Sequence, residues 1–276
     1  VPLDHKPVLE TVKPEQNQQL IVFTDLDGTL LDHDSYSHAA ADEALSLLRS
    51  NKTPLILASS KTAAEIVPLR HQLGFDHCEG IVENGAGLLE PGEPEQSGTT
   101  EYERILDRLA ALPGHLRRQF CGFSDWSAEE VADRTGLSLH SAELAKTRRF
   151  SEPGLWSGDA QMFDEFCRLL AQDGLVAQQG GRFISLSFGG NKAEQMLRIR
   201  KRYETGEKGC FSIALGDAGN DVAMLEAADL GVIIPNPTHK GIPHLPGEET
   251  GRIIRAGSPG PAGWNGTIKS ILATRT

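Results

Sequence analysis

Cysteine is scarce and scattered in this 276-residue chain: Cys78, Cys121, Cys167 and Cys210 form no CxxC pair. That spacing argues against a zinc site or a dense disulfide framework and fits free thiols in a reducing cytoplasm. Long apolar runs are also missing, and no stretch approaches the ~18 continuous apolar residues of a membrane span. Positive charge is in deficit, with 27 Lys and Arg against 38 Asp and Glu and a formal net charge of -11. Nucleic acid and acidic membrane surfaces are therefore disfavoured as main partners, because binding them needs a broad positive field. A small anionic substrate remains open where cations concentrate locally. Neither an internal repeat nor a low-complexity tract is present. Residues 1–19 are polar and proline-containing, lack the apolar core of a secretory signal, and are expected to form a flexible leader. No motif speaks to oligomeric state.

What the chain does contain is alternation. From Leu20, short apolar runs (LIVFTD, TPLILASS, GIVENGAGLL) alternate with helical patterns (AAADEALSLLRS, TAAEIVPLRHQLG), the pattern of βαβ units and a parallel sheet. The alternation breaks at Pro91. Between about Gly87 and Gly190 the pattern predicts helices over 100–111, 127–135 and 160–172, a loop at RRFSEPGLW, and a strand pair LVAQQGG and RFISLSF. An insert of about 100 residues is itself domain-sized. The α/β pattern then resumes with NKAEQMLRIRKRYE, FSIALGD, DVAMLEAAD and LGVIIP, and a turn-rich tail, SPGPAGWNGT, leads into a last helix near 267–273. The expected fold class is α/β: a Rossmann-like parallel-sheet core over 20–87 and 190–276, with an inserted α+β cap over 88–189.

Four segments carry chemistry. In LIVFTDLDGTL a predicted strand ends at Asp25 and Asp27, placing two acids where open α/β sheets bind ligands. One carboxylate suits a nucleophile and the other a general acid/base, while a metal-binding or turn-capping pair stays open. The second predicted strand ends at Ser59, Ser60 and Lys61, where a hydroxyl beside a helix start suits a phosphate oxygen, or one serine simply caps the helix. Lys192 opens a helix in GGNKAEQ, a position where the dipole disfavours a cation unless an anion is near; a solvated surface lysine is the alternative. LGDAGND places Asp217, Asn220 and Asp221 at another strand end, hard oxygen ligands suited to Mg2+ or else an Asx-rich turn. Strand ends of a parallel sheet share one edge, so residues about 190 apart in sequence can meet there. Nucleophile, acid/base, hydroxyl, lysine and metal ligands together are the set used in phosphoryl transfer.

In order, DLDGT, the strand-end Ser59, Lys192 and GDAGND resemble the four motifs of the haloacid dehalogenase-like phosphohydrolase superfamily. The resemblance spans about Leu20 to Pro237. It implies that Asp25 is the nucleophile, forming an aspartyl phosphate, and that Asp27 is the acid/base. It further implies Mg2+ held by Asp25, the Asp27 carbonyl and Asp217, with Asp221 nearby, and phosphate charge stabilised by Ser59 and Lys192. Ser59 stands where many members carry threonine; the hydroxyl survives. The insert falls where a large α/β cap occurs in the subgroup acting on sugar phosphates. SSKTAAE, IVENGAG, RRFSEPGLW, GGRF and PGPAGWN are similar to the members acting on mannosyl-3-phosphoglycerate, so the implied partner is a small phosphorylated sugar-glycerate.

On that likeness Arg149, Ser151 and Glu152, with Gly181 and Arg182, are the expected cap contacts, joined by Ser60, Lys61, Glu83, Asn84 and Asn220 around the pocket. An arginine suits a glycerate carboxylate, and Ser151 and Glu152 suit sugar hydroxyls. Surface arginines and a turn are the alternative. A glucosyl-3-phosphoglycerate or hexose phosphate phosphatase, a phosphomutase and a non-catalytic sugar-phosphate-binding regulator are the competing readings. His33, His38 and His71 are expected to be surface or packing residues.

Overall fold

The structure, a computed structural model, describes residues 12–15, 18–93, 100–180, 182–204, 209–238 and 240–274. The chain separates into two compact units, Val1–Leu57 with Met196–Thr276, and Ala58–Gln195. It has the expected α/β core and a separate cap subdomain. Most of the expected leader lies outside the described residues.

In the first unit β1 (Gln19–Thr24) carries QLIVFT, buried at every position after Gln19. Such a run needs cover on both faces and reads as a central strand. It lies between β2 (Leu55–Ala58) and, later in the chain, the wholly buried CFSIALG strand Cys210–Gly216. Both pairings are parallel, with Thr24 opposite Leu57 on one side and Leu215 on the other. Helix α1 (Asp42–Ser50) buries Ala44, Leu45 and Leu48 and has no side-chain cap of its own. Asn265 supplies one from 221 residues away, its Oδ1 accepting the Ala44 N–H at 2.8 Å.

The second unit holds helix α2 (Ala63–Leu73), capped by a Thr62–Glu65 capping box and stopped by Gly74 in the left-handed region. An antiparallel pair, β3 (Gly80–Val82) and β4 (Gly87–Leu89), follows. Helices α3 (Thr100–Ala110), α4 (Gly114–Arg117), α5 (Ala128–Thr135) and α6 (Leu139–Lys146) come next. Strand β5 (Phe120–Gly122) falls between α4 and α5, and β6 (Ser151–Trp156) follows α6. Helix α7 (Ala160–Gln172) is succeeded by β7 (Val176–Gly180) and β8 (Phe183–Ser187). The last four strands form an antiparallel sheet in the order β5-β6-β8-β7. Phe120, Phe166, Leu170, Leu175 and Leu186 are among its core, and a satellite cluster gathers Phe123, Trp126 and Val131.

Two expectations need correction. RRFSEPGLW is not a loop: β6 runs through Pro153, which lies opposite Ser185 of β8. On the other side the paired residues of β5 stop at Gly122, opposite Gly154, so the missing proline N–H interrupts no β5 pair, and the Pro153 carbonyl still accepts from Phe123 N–H at 2.9 Å. The tail is also more regular than its glycines and prolines suggest.

Helix α8 (Lys192–Tyr203) precedes β9 (Cys210–Gly216), which is followed by α9 (Val222–Ala227), β10 (Leu230–Ile233) and β11 (Ile253–Arg255). The first unit's strands run in the order β11-β10-β9-β1-β2, all parallel. The final helix, α10 (Gly260–Ala273), starts seven residues earlier than expected, because its prolines occupy Ncap and the first turn, where no N–H is required. Among the described residues no helix is long and apolar enough to cross a membrane.

Arg255, at the end of β11, donates from Nε and Nη2 to the two carboxylate oxygens of Glu248, both at 2.8 Å. This pairing lowers the Glu248 carboxyl to about 2. A depressed carboxyl stabilises the fold above its unfolded value of about 4.3 and loses that contribution as pH falls toward 2. Glu248→Gln should cost roughly 1 kcal/mol at pH 7 after solvent screening. Denaturant midpoints of the two proteins should converge between pH 5 and pH 2.

Candidate active site

Asp25 follows the last residue of β1, and its N–H donates to the Leu215 carbonyl at 2.9 Å. Asp217 follows the last residue of β9. Because these strands are adjacent and parallel, their ends bring the two acids together, as the 190-residue spacing predicts. Asp221 sits on the 3-10 turn Gly219–Asp221, and its Oδ2 accepts from the N–H groups of Asp217 and Ala218 at 3.2 and 3.1 Å. Asp25, Asp217 and Asp221 are all buried, and one oxygen from each lies within 4.8 Å of the other two. Asp221 therefore both caps its own turn and belongs to the carboxylate cluster.

Three buried carboxylates this close repel each other in a low dielectric. An all-oxygen donor set with carboxylates is what Mg2+ takes, so the residues fit a hard divalent cation. Asp27 does not bring its side chain into this cluster. It is half-buried in the turn after β1, where the Leu26 carbonyl accepts from Thr29 and Leu31 N–H at 3.1 and 2.8 Å. Gly28 in this turn has φ +81°, and a Cβ there would overlap Asn236 and crowd Asp217 Oδ2 at 2.9 Å. Asn220 is exposed.

Two residues overlooked in the sequence orient Asp217. Thr29 Oγ1 donates to its Oδ1 at 2.9 Å, and Asn236 Nδ2 donates to its Oδ2 at 2.7 Å. Asn236 is itself aimed by Thr238, whose N–H and hydroxyl donate to Asn236 Oδ1 at 3.0 and 2.7 Å. The only sequence signal for Asn236 is a polar residue between two prolines just past the apolar run of β10. A cavity of about 120 Å³ is lined by Gly28, Asp32, His33 and Asn236 among others. A larger one, about 460 Å³, lies along α10 and includes none of the carboxylates in its lining.

In the second unit Ser59 is buried and Ser60 exposed. Neither caps α2, because Thr62 does. Ser59 Oγ instead accepts the Lys61 N–H at 3.2 Å, and Lys61 pairs with Glu65 at 3.8 Å. The turn after β3 is tied to this segment: Glu83 N–H donates to the Lys61 carbonyl and Asn84 N–H to the Ser59 carbonyl, both at 2.9 Å. Glu83 and Asn84 have φ of 52° and 60°, an unusual conformation for two consecutive non-glycine residues. Gly85 continues it at φ +89°, and a Cβ on Gly85 would overlap the Asn191–Lys192 backbone. Gln195 Nε2 donates to the Gly85 carbonyl at 2.9 Å. This turn therefore joins Ser59–Lys61 to the start of α8. Lys192 there is only 2% exposed, which excludes the solvated-lysine alternative.

Glu83 has a fully buried side chain that faces Arg148 Nε at 3.3 Å. It accepts from the N–H groups of Arg149 and Phe150 at 2.8 and 3.1 Å, and from Ser151 Oγ at 2.7 Å. Arg149 Nη2 lies 2.7 Å from Glu93 Oε1. Glu152 is buried, and its carboxylate accepts from Tyr102 Oη at 2.8 Å and from Ser124 N–H and Oγ at 2.8 and 2.7 Å. Burial pushes the Glu152 carboxyl up despite these donors. Arg182 is exposed, with its guanidinium 5.7 Å from the Phe183 ring and Nη2 3.4 Å from the Thr135 carbonyl. Gly181 lies outside the described residues.

A parallel α/β core with buried carboxylates at adjacent strand ends, and a separate cap, defines a metal-assisted hydrolase class. The chain belongs to the haloacid dehalogenase-like hydrolase family, whose family model matches residues 22–123 and 158–244. It is 33% identical over 267 residues to a glucosyl-3-phosphoglycerate/mannosyl-3-phosphoglycerate phosphatase of Methanococcoides burtonii, covering 91% of this chain and 97% of that protein. A protein of the same description from Persephonella marina is 32% identical, covering 92% and 97%. Among solved structures, a Geobacillus kaustophilus protein superimposes with TM-score 0.64 at 19% identity, covering 92% of this chain and 99% of that one. The sucrose-phosphatase of Synechocystis superimposes with TM-score 0.54 at 16% identity, covering 92% and 98%. These structural likenesses concern the fold.

Asn236→Ala should weaken Mg2+ binding about 10- to 100-fold, since outer partners of ligating carboxylates carry that much affinity. Calorimetric Mg2+ titration of the folded variant measures it. Glu83→Ala leaves Arg148 buried without its carboxylate and should destabilise the chain by about 3–5 kcal/mol in urea unfolding.

Proposed function

We propose that the protein is a Mg2+-dependent phosphatase that hydrolyses a glycosyl-3-phosphoglycerate, with mannosyl-3-phosphoglycerate the expected substrate and mannosylglycerate and phosphate the products. The observation that carries the reaction is the buried Asp25, Asp217 and Asp221 cluster on adjacent strand ends. The substrate class is supported by the two relatives named above, similar along nearly their whole length. Both are described for glucosyl and mannosyl substrates, so glucosyl-3-phosphoglycerate is the second reading.

Asp25, Asp217 and Asp221, with the Asp27 carbonyl, would hold Mg2+, which supplies charge neutralisation between carboxylate and phosphate. Asp25 attacks phosphorus in line, forming an aspartyl phosphate as the ester oxygen leaves. Asp27 donates a proton to that oxygen and later accepts one from the water that hydrolyses the acyl phosphate. Ser59 and Lys192 stabilise charge on the transferring group. Residues 88–189 act as the substrate-specificity cap, where Arg149 and Arg182 are candidates for the glycerate carboxylate and Ser151 and Glu152 for sugar hydroxyls. A cytoplasmic location is supported by four free cysteines.

Phosphate release measured across mannosyl- and glucosyl-phosphoglycerate, hexose phosphates and free phosphoglycerate tests the proposal. The glycosyl-phosphoglycerates should turn over fastest, Asp25→Asn should abolish release, and chelation should abolish it reversibly. Fast hexose phosphate turnover with none on the glycosyl-phosphoglycerates would overturn the substrate, and an active Asp25→Asn protein would overturn the nucleophile.

A further inference from the structure

The tail segment PGPAGWN has no part in the chemistry described so far, yet α10 brings it to the nucleophile's strand. Trp264 is completely buried, and its Nε1–H donates to Thr24 Oγ1 at 3.0 Å. Thr24, also completely buried, donates from the same hydroxyl to the main-chain carbonyl of Asp25 at 2.7 Å.

The direction of this chain of bonds is settled by chemistry. An indole N–H is a donor only, so Thr24 Oγ1 must accept from it. The hydroxyl's single proton is then committed to the Asp25 carbonyl. Since the Asp25 N–H is given to Leu215, both main-chain polar groups of Asp25 are engaged. With the peptides on either side anchored, the carboxylate retains only its own side-chain torsions.

We propose that Trp264 is a positioning residue, which through Thr24 fixes the main chain of Asp25 and so holds its carboxylate toward Asp217 and Asp221. The inference rests on the reading of Asp25 as nucleophile and metal ligand. Removing the bond leaves the residue types of the site intact but loosens the attacking group, and a displacement of about 1 Å costs on the order of 100-fold in rate at its worst.

Trp264→Phe keeps the aromatic bulk and loses the donor; Thr24→Val keeps the shape and loses the hydroxyl. Each should lower kcat by about 10-fold with KM little changed, and weaken Mg2+ binding a few-fold in calorimetry without substrate. Thr24→Ser restores the hydroxyl and should recover near wild-type kcat. The double variant Trp264→Phe/Thr24→Val should be no slower than the slower single, because one bonded chain is cut in both. Independently of activity, three tryptophans give three indole N–H signals in a 15N spectrum. Trp264→Phe assigns one of them, and Thr24→Val should accelerate its hydrogen exchange.

Wild-type kcat in both folded single variants, additive losses in the double variant, or a Thr24→Ser protein as slow as Thr24→Val would each overturn the proposal. Asp25→Asn separates the two levels: residual activity there sinks the nucleophile reading, while the exchange measurement still reports on the bond. An indole signal whose exchange ignores Thr24→Val removes the bond itself.

Discussion

Asp25, Asp217 and Asp221 are held together against their own repulsion, and most of the first unit is arranged around that constraint. Mutual attraction cannot hold three buried anions in place, so the scaffold has to. The register of β1 against β9 sets the distance between Asp25 and Asp217. A hydroxyl from Thr29 and an amide from Asn236 each occupy one oxygen of Asp217, and main-chain N–H groups hold Asp221. Donors on the carboxylate oxygens lower the repulsion and define direction, so the cluster is preorganised for a cation. Gly28 follows from the same crowding.

The second unit handles buried charge in the opposite way. There Glu83 is placed against Arg148, and the Glu83 carboxylate gathers the strand entry at Arg149, Phe150 and Ser151. The left-handed backbone at Glu83 and Asn84 costs about 1–3 kcal/mol per residue. The bonds from those residues to Lys61 and Ser59 and the buried ion pair sustain it. Ser59, Lys61 and Lys192 are thereby assembled around one strained turn.

The acids at strand ends could be read from sequence because an apolar run that stops at a carboxylate reports both the strand and its edge. DLDGT and GDAGND each carry that signal within a few residues, and the parallel-sheet pattern supplies their meeting. Asn236 offers only a polar residue between two prolines, because its value depends on β10 lying beside β9. Pro153 hid β6, since the pattern cannot tell where a neighbouring strand stops. The prolines and glycines of the tail similarly hid the first turns of α10. Glu83 is among the residues expected around the pocket, but its partners at 148–151 lie more than 60 residues away and no local pattern predicts them.

The reach of α10 bears on how the protein is made. Translation delivers β1 early, but the indole that bonds Thr24 is separated from it by 240 residues, and the amide that caps α1 is 221 residues beyond Ala44. Between these events the ribosome produces every strand and helix of Ala58–Gln195, whose contacts are more local. Domains tend to fold as units during synthesis. The second unit can therefore be in place while β1 still awaits its late-synthesised neighbours. The first unit's formation therefore waits on the synthesis of α10.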